Sequence, residues 1–172
     1  MKTLIIYYSK TGFTRRYAQW LGEELSCDCI PFAKRKTADF SQYGAVVYGA
    51  GCHAGSIRKL GWFLKKLPGL SGRRLAVFFT GAMPPDETAV AQTVEKNFTP
   101  EQLKQVKVFY LWGGLNYEEM GPVDRALMAG FRKMLREKAD AAPEEKEMLK
   151  MLESSYDKAD RKYLKPLLEY LQ

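Results

Sequence analysis

The chain has 172 residues, of which 46% are hydrophobic, and a formal net charge of +7. This length and composition suit one domain with a substantial core, so we expect residues 1–172 to form a single domain. No apolar stretch approaches the ~20 residues that a membrane-spanning helix needs, and Met1-Lys2 leads into a strand pattern without a signal-peptide core. We therefore expect a cytoplasmic protein.

Cysteine and charge patterns exclude further classes. Three cysteines and one histidine, without metal-ligand spacing, argue against a disulfide framework or a zinc site, and we predict no metal. Basic residues are scattered along the chain, as on solvated faces, and no zinc-finger or RNA-binding aromatic motif occurs. We therefore predict no nucleic-acid partner, and the positive charge favours a membrane surface or a carboxylate-bearing substrate.

Apolar runs alternate with amphipathic segments, which is typical of a parallel sheet covered by helices. The predicted order is β, α, β, β, α, β, α, β, α. Strands are predicted at residues 4–8, 29–32, 45–49, 75–79 and 106–111. Pro31 cannot donate a hydrogen bond to a strand ladder, so the second strand is expected near a sheet edge.

Helices are predicted where apolar residues recur every three or four positions. Three helices are predicted as ranges: residues 60–67, ended by Pro68-Gly69; residues 123–138, begun by Gly121-Pro122 and ended at residues 141–143; and residues 144–153. Three more are predicted from their apolar positions: one with Tyr17, Leu21 and Leu25, one with Val90, Val94 and Phe98, and a terminal one with Leu164, Leu167, Leu168 and Leu171. Residues 116–155 are interpreted as a helical insertion before the terminal helix.

The first strand leads into a hydroxyl-rich segment, Ser9-Lys10-Thr11-Gly12-Phe13-Thr14, and then directly into a helix. Hydroxyls and backbone amides at the positive end of a helix wrap an anion without a metal. The same residues also suit an ordinary helix N-cap. We name residues 9–14 the phosphate segment.

Three glycine-containing loops follow later strands: residues 50–55, 80–84 and 113–115. Ligands of doubly wound sheets bind beyond the carboxyl ends of the strands, where these loops are expected to meet the phosphate segment. Glycines let backbone amides approach a flat ring closely. The set predicts a mononucleotide with an aromatic ring system, since neither a dinucleotide fingerprint nor a P-loop is present.

On these segments the chain resembles the flavodoxin-like FMN-binding proteins over about residues 1–135. The resemblance implies an α/β fold, a doubly wound three-layer sandwich with a five-stranded parallel sheet and extra C-terminal helices. It also implies FMN as the cofactor. The residues assigned to cofactor binding are Ser9, Lys10, Thr11, Gly12, Phe13, Thr14, Ala50, Gly51, Cys52, His53, Ala54, Gly55, Thr80, Gly81, Ala82, Gly113 and Gly114.

Residues 111–117 and the basic helix 123–138 resemble the subgroup that includes the menaquinone-dependent protoporphyrinogen oxidases. The resemblance implies an FMN-dependent oxidoreductase acting on a quinone-linked or carboxylated, porphyrinogen-like substrate. A non-catalytic electron carrier and a cofactor-less interaction module stay open as alternatives. A quinone or a redox protein is the expected partner, and the basic helix suggests peripheral membrane contact.

Individual side chains leave further alternatives open. His53 either stacks on the ring or is solvated, and Met83 with Pro84 occupies the second ring loop in place of a tyrosine. Cys52 is interpreted as a small filler, because no second cysteine is placed to resolve it. No side chain emerges as an acid, base or nucleophile, so no catalytic residue is predicted.

Overall fold

The computed structural model describes residues 1–138 and 142–172. Its strands are β1 Thr3–Tyr8, β2 Asp28–Pro31, β3 Ala45–His53, β4 Ser56–Ile57, β5 Arg74–Gly81, β6 Val106–Trp112, β7 Gly114–Leu115 and β8 Tyr156–Asp157. Its α-helices are α1 Phe13–Leu25, α2 Leu60–Leu64, α3 Glu87–Asn97, α4 Pro100–Leu103, α5 Pro122–Glu137, α6 Pro143–Met151 and α7 Lys165–Leu171. Short 3-10 helices lie at Phe32–Thr37, Phe40–Gln42, Leu67–Leu70, Tyr117–Glu119 and Arg161–Leu164.

The central sheet has the strand order β2-β1-β3-β5-β6, and all four neighbouring pairs are parallel. The predicted doubly wound α/β sandwich with five parallel strands is confirmed. β2, which contains Pro31, lies at the edge as predicted. Two small antiparallel pairs, β3 with β4 and β7 with β8, were not predicted from the sequence.

Side chains of the central strands alternate between two cores, because successive residues of a strand point to opposite faces. On one face, Leu4, Val46 and Val77 pack with α2 and the residue after α3, Phe98. On the other face, the cluster that contains Ile5 packs with α1 and α7. Burial on both faces explains the continuous apolar runs of β3 and β5.

A third, smaller core forms beyond the sheet edge. Leu115, Leu135 and Leu152 are its buried members, contributed by β7, α5 and the end of α6. It joins the helical segment 116–155 to the loop after β5 through Ala82 and Met83. The helices of this segment are therefore anchored beside the carboxyl end of the sheet.

Several predicted helix ends need correction. The helix predicted at residues 60–67 ends at Leu64, and Pro68-Gly69 lies inside the 3-10 helix Leu67–Leu70. Phe98 is buried just after α3, not within it. The helix start at Gly121-Pro122 is confirmed, with proline in the first turn of α5. Of the predicted break at residues 141–143, position 141 lies outside the described residues.

Within residues 1–138 and 142–172, no helix is long and apolar enough to cross a membrane.

Gly49 fixes the packing of the two central strands, and its replacement tests the core. A Cβ at this position would lie 2.1 Å from Cζ of Phe78, the residue paired with Gly49 across the sheet. Gly49→Ala is therefore expected to lower the free energy of unfolding by about 1–3 kcal/mol, the usual cost of overpacking. Urea unfolding followed by circular dichroism measures this change.

Gly130→Ala is the matched control, because a Cβ there meets no described atom within 4 Å. Alanine is also the better helix former, so α5 gains up to about 1 kcal/mol. Equal stability of the Gly49→Ala variant and the wild type would contradict the close approach of Phe78.

Candidate functional site

The phosphate segment forms the turn between β1 and α1. Gly12 has φ of 99°, in the left-handed region that favours glycine, and its amide donates a hydrogen bond to Ser9 Oγ at 3.2 Å. Gly12 is also the N-cap of α1, and no side chain among the described residues caps the first amides of this 13-residue helix. These amides, at the positive end of the helix, make an anion-binding site.

A buried hydrogen bond connects the phosphate segment to the second glycine loop. The hydroxyl oxygens of Thr14, in the first turn of α1, and Thr80, near the end of β5, lie 2.8 Å apart. Both side chains are buried. One hydroxyl donates and the other accepts, so this bond holds the start of α1 against the end of β5.

Two cavities share the phosphate segment as a wall. One has a volume of about 620 Å³ and is enclosed by the first two glycine loops, α3 and α5. The other, of about 920 Å³, lies between α1 and the residues around β7 and β8. We name the first one the apolar cavity, because its wall includes Phe79, Met83, Pro84, Val90, Leu127, Met128 and Phe131.

Most of the residues predicted from the sequence line one of these cavities. Those on the apolar cavity are Lys10, Thr11, Phe13, Thr14, Gly51, Cys52, His53, Ala54, Gly55, Thr80, Gly81, Ala82 and Gly114. Ser9 and Gly12 line the larger cavity. Ala50 and Gly113 line neither of the two. Ala50 is fully buried in β3 and packs in the core instead.

The first glycine loop is a tight hairpin between β3 and β4. Its two turn residues, Ala54 and Gly55, have φ of 48° and 73°, as the favoured two-residue hairpin turns require. Asn97 from α3 accepts a hydrogen bond from the Ile57 amide at 2.9 Å and donates one to the Gly55 carbonyl at 2.7 Å. Lys96 donates to the Ala54 carbonyl at 2.8 Å. The end of α3 therefore holds the hairpin rigidly against the cavity.

The second glycine loop is held through its carbonyls. Trp112 Nε1 donates to the Ala82 carbonyl at 2.9 Å, and the Tyr156 hydroxyl donates to the same oxygen. The Tyr110 hydroxyl donates to the Met83 carbonyl. Burial raises the pKa of Tyr156 to about 12 and raises that of Tyr110 as well, so both stay protonated donors at neutral pH.

The glycines of the third glycine loop allow close packing of neighbouring backbone, and Gly114 also lines the apolar cavity. Gly113 is buried, and its amide donates to the Gly81 carbonyl at 3.0 Å. A Cβ on Gly114 would lie 2.1 Å from the Tyr156 carbonyl oxygen, and one on Gly113 would lie 3.1 Å from Phe13. The two glycines thus let β7 approach β8 and α1 closely. The sequence interpretation, which gave them only a ring-facing role, missed this close packing.

An ion cluster lies on the wall of the apolar cavity. Asp124, in the first turn of α5, lies with Oδ2 3.1 Å from Lys10 Nζ and Oδ1 3.1 Å from Arg58 Nη2. His53 Nε2 lies 3.3 Å from Asp124 Oδ1. Three basic side chains, from the phosphate segment, the hairpin and the residue after β4, therefore meet one carboxylate of the helical segment.

Charge stabilises the ionised form of this carboxylate. Burial by itself raises the pKa of Asp124, but the hydrogen bonds and charges of Lys10 and Arg58 outweigh burial, and the pKa is lowered below its usual value. The opposite holds for Cys52 on the cavity wall, where burial raises the pKa of the thiol. Cys52 is therefore an unreactive thiol at neutral pH, as the filler interpretation expects.

Asp124 was missed by the sequence analysis. The available signal was an acidic residue two positions after Pro122, in a helix whose other charges are mostly basic. Its partners are far away in sequence, so the pattern gives no reason to place them together.

Among residues 1–138 and 142–172, no three His, Cys, Asp or Glu side chains are placed to hold a metal ion.

Comparison with solved structures gives similar folds at low identity. The flavodoxin, WrbA-like protein of Agrobacterium tumefaciens is 14% identical over 72% of this chain and 87% of its own, with a TM-score of 0.49. The Trp repressor binding protein of Bacillus subtilis is 15% identical over 67% and 85%, with a TM-score of 0.48. A flavoprotein in complex with FMN from Lactobacillus acidophilus NCFM is 17% identical over 64% and 91%, with a TM-score of 0.46. At these TM-scores the likenesses carry no functional argument.

No curated protein matches the chain in sequence. The flavodoxin domain family does match, over residues 4–142. This stretch includes the phosphate segment, all three glycine loops and α5. The chain belongs to the flavodoxin domain family.

Proposed function

We propose that the chain binds FMN non-covalently and acts as an FMN-dependent oxidoreductase. The observation that carries the proposal is the contact between an anion-binding helix terminus and an apolar cavity of about 620 Å³. FMN has a matching shape, with a phosphate at one end and a flat aromatic ring system at the other.

The phosphate end of FMN fits the donor set at the start of α1. The first amides of the helix have no side-chain cap, and Ser9 and Thr11 add hydroxyl groups beside them. Arg15 lines the same cavity and is exposed, so it supplies a nearby positive charge. Amide donors and a helix terminus suffice for phosphate binding, without a metal.

The ring end fits the apolar cavity. Its volume lies within the ~300–1,000 Å³ of most ligand pockets. Its walls are the hairpin held by Asn97 and the loop held by Trp112 and the two tyrosines, so a ring would meet a pre-organised backbone. Leu127, Met128 and Phe131 of α5 contribute the side of the cavity opposite the core strands.

When bound, FMN supplies the electron or hydride chemistry. The chain's own residues bind it, exclude water and set the local charge. Leu127, Met128 and Phe131 restrict water at the ring, which strengthens the electrostatic effect of nearby groups. The neighbouring charges are Lys10, Arg58 and Asp124, and their formal charges sum to one positive charge.

The proposed substrate is quinone-linked or carboxylated and porphyrinogen-like. The helical segment beside the cavity supports an enzyme, since α5 adds an apolar wall next to the proposed ring position. The net charge of +7 favours an anionic substrate. The resemblance of residues 111–117 and 123–138 to menaquinone-dependent protoporphyrinogen oxidases points to the same class.

Anaerobic turnover of protoporphyrinogen with a menaquinone analogue tests the proposal. The FMN-loaded chain is expected to form porphyrin and reduced quinone in step. Rapid reduction by a flavodoxin reductase without any turnover would instead identify an electron carrier. Absence of saturable FMN binding would leave a cofactor-less interaction module.

The charges around the cavity predict the redox behaviour of the bound flavin. Arg58 and Lys59 follow the first glycine loop and favour an anionic reduced ring, so we expect a less negative second reduction potential than in an acidic flavodoxin. Asp124 compensates part of this effect at Arg58. Asp124→Asn is therefore expected to shift the second potential upward, and Arg58→Gln downward, each on the order of tens of millivolts.

A redox titration against reference dyes measures these shifts. Glu87→Gln is the matched control, because it removes one exposed carboxylate at the start of the neighbouring helix α3. Its effect is expected to be small, since solvent and salt screen an exposed charge. Shifts of the same size and sign in all three variants would contradict a local effect of the ion cluster.

We further propose that the basic helix 123–138 contacts an anionic membrane surface. Val123, Leu127 and Met134 are 72%, 53% and 52% exposed, and they recur at helical spacing on α5. Lys133 and other basic residues lie on the same helix. An exposed apolar stripe beside basic residues is typical of interfacial helices.

Cosedimentation with vesicles tests the membrane contact. The chain is expected to bind phosphatidylglycerol vesicles more strongly than phosphatidylcholine vesicles. The double variant Val123→Ser/Met134→Ser removes apolar contacts without touching the cavity wall, and it is expected to reduce binding several-fold. Unchanged binding of this variant, or equal binding to both vesicles, would contradict the proposal.

A further inference from the structure

The ion cluster on the wall of the apolar cavity is built from side chains that are partly exposed to solvent. The side chains of Lys10 and His53 are 43% and 39% exposed, and that of Arg58 is 24% exposed. The carboxylate they share is the least accessible member, since the Asp124 side chain is 13% exposed. The cluster therefore shields one carboxylate, while its basic groups remain partly exposed to solvent.

All four residues of this cluster line the apolar cavity. A carboxylate held there by Lys10 and Arg58 would lie beside the apolar wall of this cavity, next to the proposed position of the flavin ring. The surroundings of Asp124 thus combine charge-assisted hydrogen bonds with an apolar space, and this combination recognises a ring compound that carries a carboxylate.

The helix that supplies Asp124 is only lightly anchored. Within Pro122–Glu137, Leu135 alone is buried, and Val123, Leu127, Phe131 and Met134 are exposed. No side chain among the described residues caps the first turn, which begins at Pro122. Release of Asp124 would therefore expose little additional apolar surface, and elements with few buried contacts open at low free-energy cost.

We propose that Lys10, His53 and Arg58 form the subsite for a substrate carboxylate, and that Asp124 occupies this subsite from within until the substrate displaces it. The inference rests on the proposed function for the class of substrate. Exchange of one carboxylate for another keeps the basic groups paired, so no buried charge is left without a partner.

The exchange makes the site selective in two ways. A neutral ring compound does not displace Asp124, so α5 stays tied to the phosphate segment through Lys10. An anionic ring compound replaces Asp124 and releases the first turn of α5. Asp124 is thus an internal competitor, and its removal is expected to strengthen the binding of anionic ligands and leave neutral ligands unaffected.

Calorimetric titration with 2-naphthoate and its neutral analogue 2-naphthamide tests the proposal. We expect Asp124→Asn to bind 2-naphthoate about tenfold more tightly than the wild type does, with 2-naphthamide unchanged. Arg58→Gln is expected to lose the preference for the acid over the amide. Lys65→Gln is the matched control, because Lys65 is an exposed cation that does not line the apolar cavity.

Two results of these titrations would overturn the inference. An equal change for both ligands in Asp124→Asn would mean that the carboxylate only holds the helix. An unchanged affinity for 2-naphthoate would mean that no internal competitor exists. The titrations are made on the FMN-loaded chain and on the cofactor-free chain, so failure to bind FMN is recorded separately from failure of the carboxylate subsite.

Hydrogen exchange of the wild-type chain gives a second test that does not need a folded Asp124→Asn variant. Binding of 2-naphthoate is expected to speed exchange of the amides in the first two turns of α5. Binding of 2-naphthamide is expected to leave them unchanged. Slower exchange with both ligands would overturn the proposed displacement, since Asp124 would then stay in place.

Discussion

Parallel pairing places the carboxyl ends of β1, β3, β5 and β6 at one edge of the sheet and in step. Gly51 is paired with Thr80, and Gly81 with Trp112. The loops that follow these strands therefore lie at the same edge of the sheet. The hydrogen bond between Thr14 and Thr80 joins the phosphate segment to the end of β5. The anion site, the hairpin and the aromatic donors of the second loop all depend on this register.

Local sequence signals were enough to predict the central sheet. The apolar runs of β3 and β5 are buried on both faces, and Pro31 marks an edge strand, so their positions follow from burial and hydrogen bonding alone. The phosphate segment was also predictable, because hydroxyls and Gly12 lie between a strand and a helix. Helix ends were predicted less accurately, as the early end of α2 at Leu64 shows.

Contacts between distant segments were not predictable from the pattern. Asn97 closes the hairpin from another helix, and its side chain looks like an ordinary polar residue at the end of α3. Tyr156 reaches the second glycine loop from 74 residues away. Asp124 meets Lys10 across 114 residues. Such pairs are set by the path of the chain in space, which periodicity and spacing do not encode.

The ion cluster relates the charge of the chain to the chemistry of the site. Its basic members come from segments next to β1, β3 and β4, whereas Asp124 comes from helix α5 on the opposite side of the cavity. The Asp124 carboxylate thus attaches α5 to the phosphate segment and also lowers the positive charge beside the cavity. Under the proposed exchange, this contact makes the site select anionic ring compounds over neutral ones, because only an anionic compound displaces Asp124.

Titration of the cofactor-free chain with FMN and with riboflavin tests the central claim most directly. Quenching of flavin fluorescence is expected to saturate with FMN, and riboflavin, which lacks the phosphate, is expected to bind at least about tenfold more weakly, as the loss of charge-assisted hydrogen bonds implies. Equal affinity for both flavins would contradict a phosphate site at the start of α1, and absence of saturable FMN binding would contradict the account as a whole.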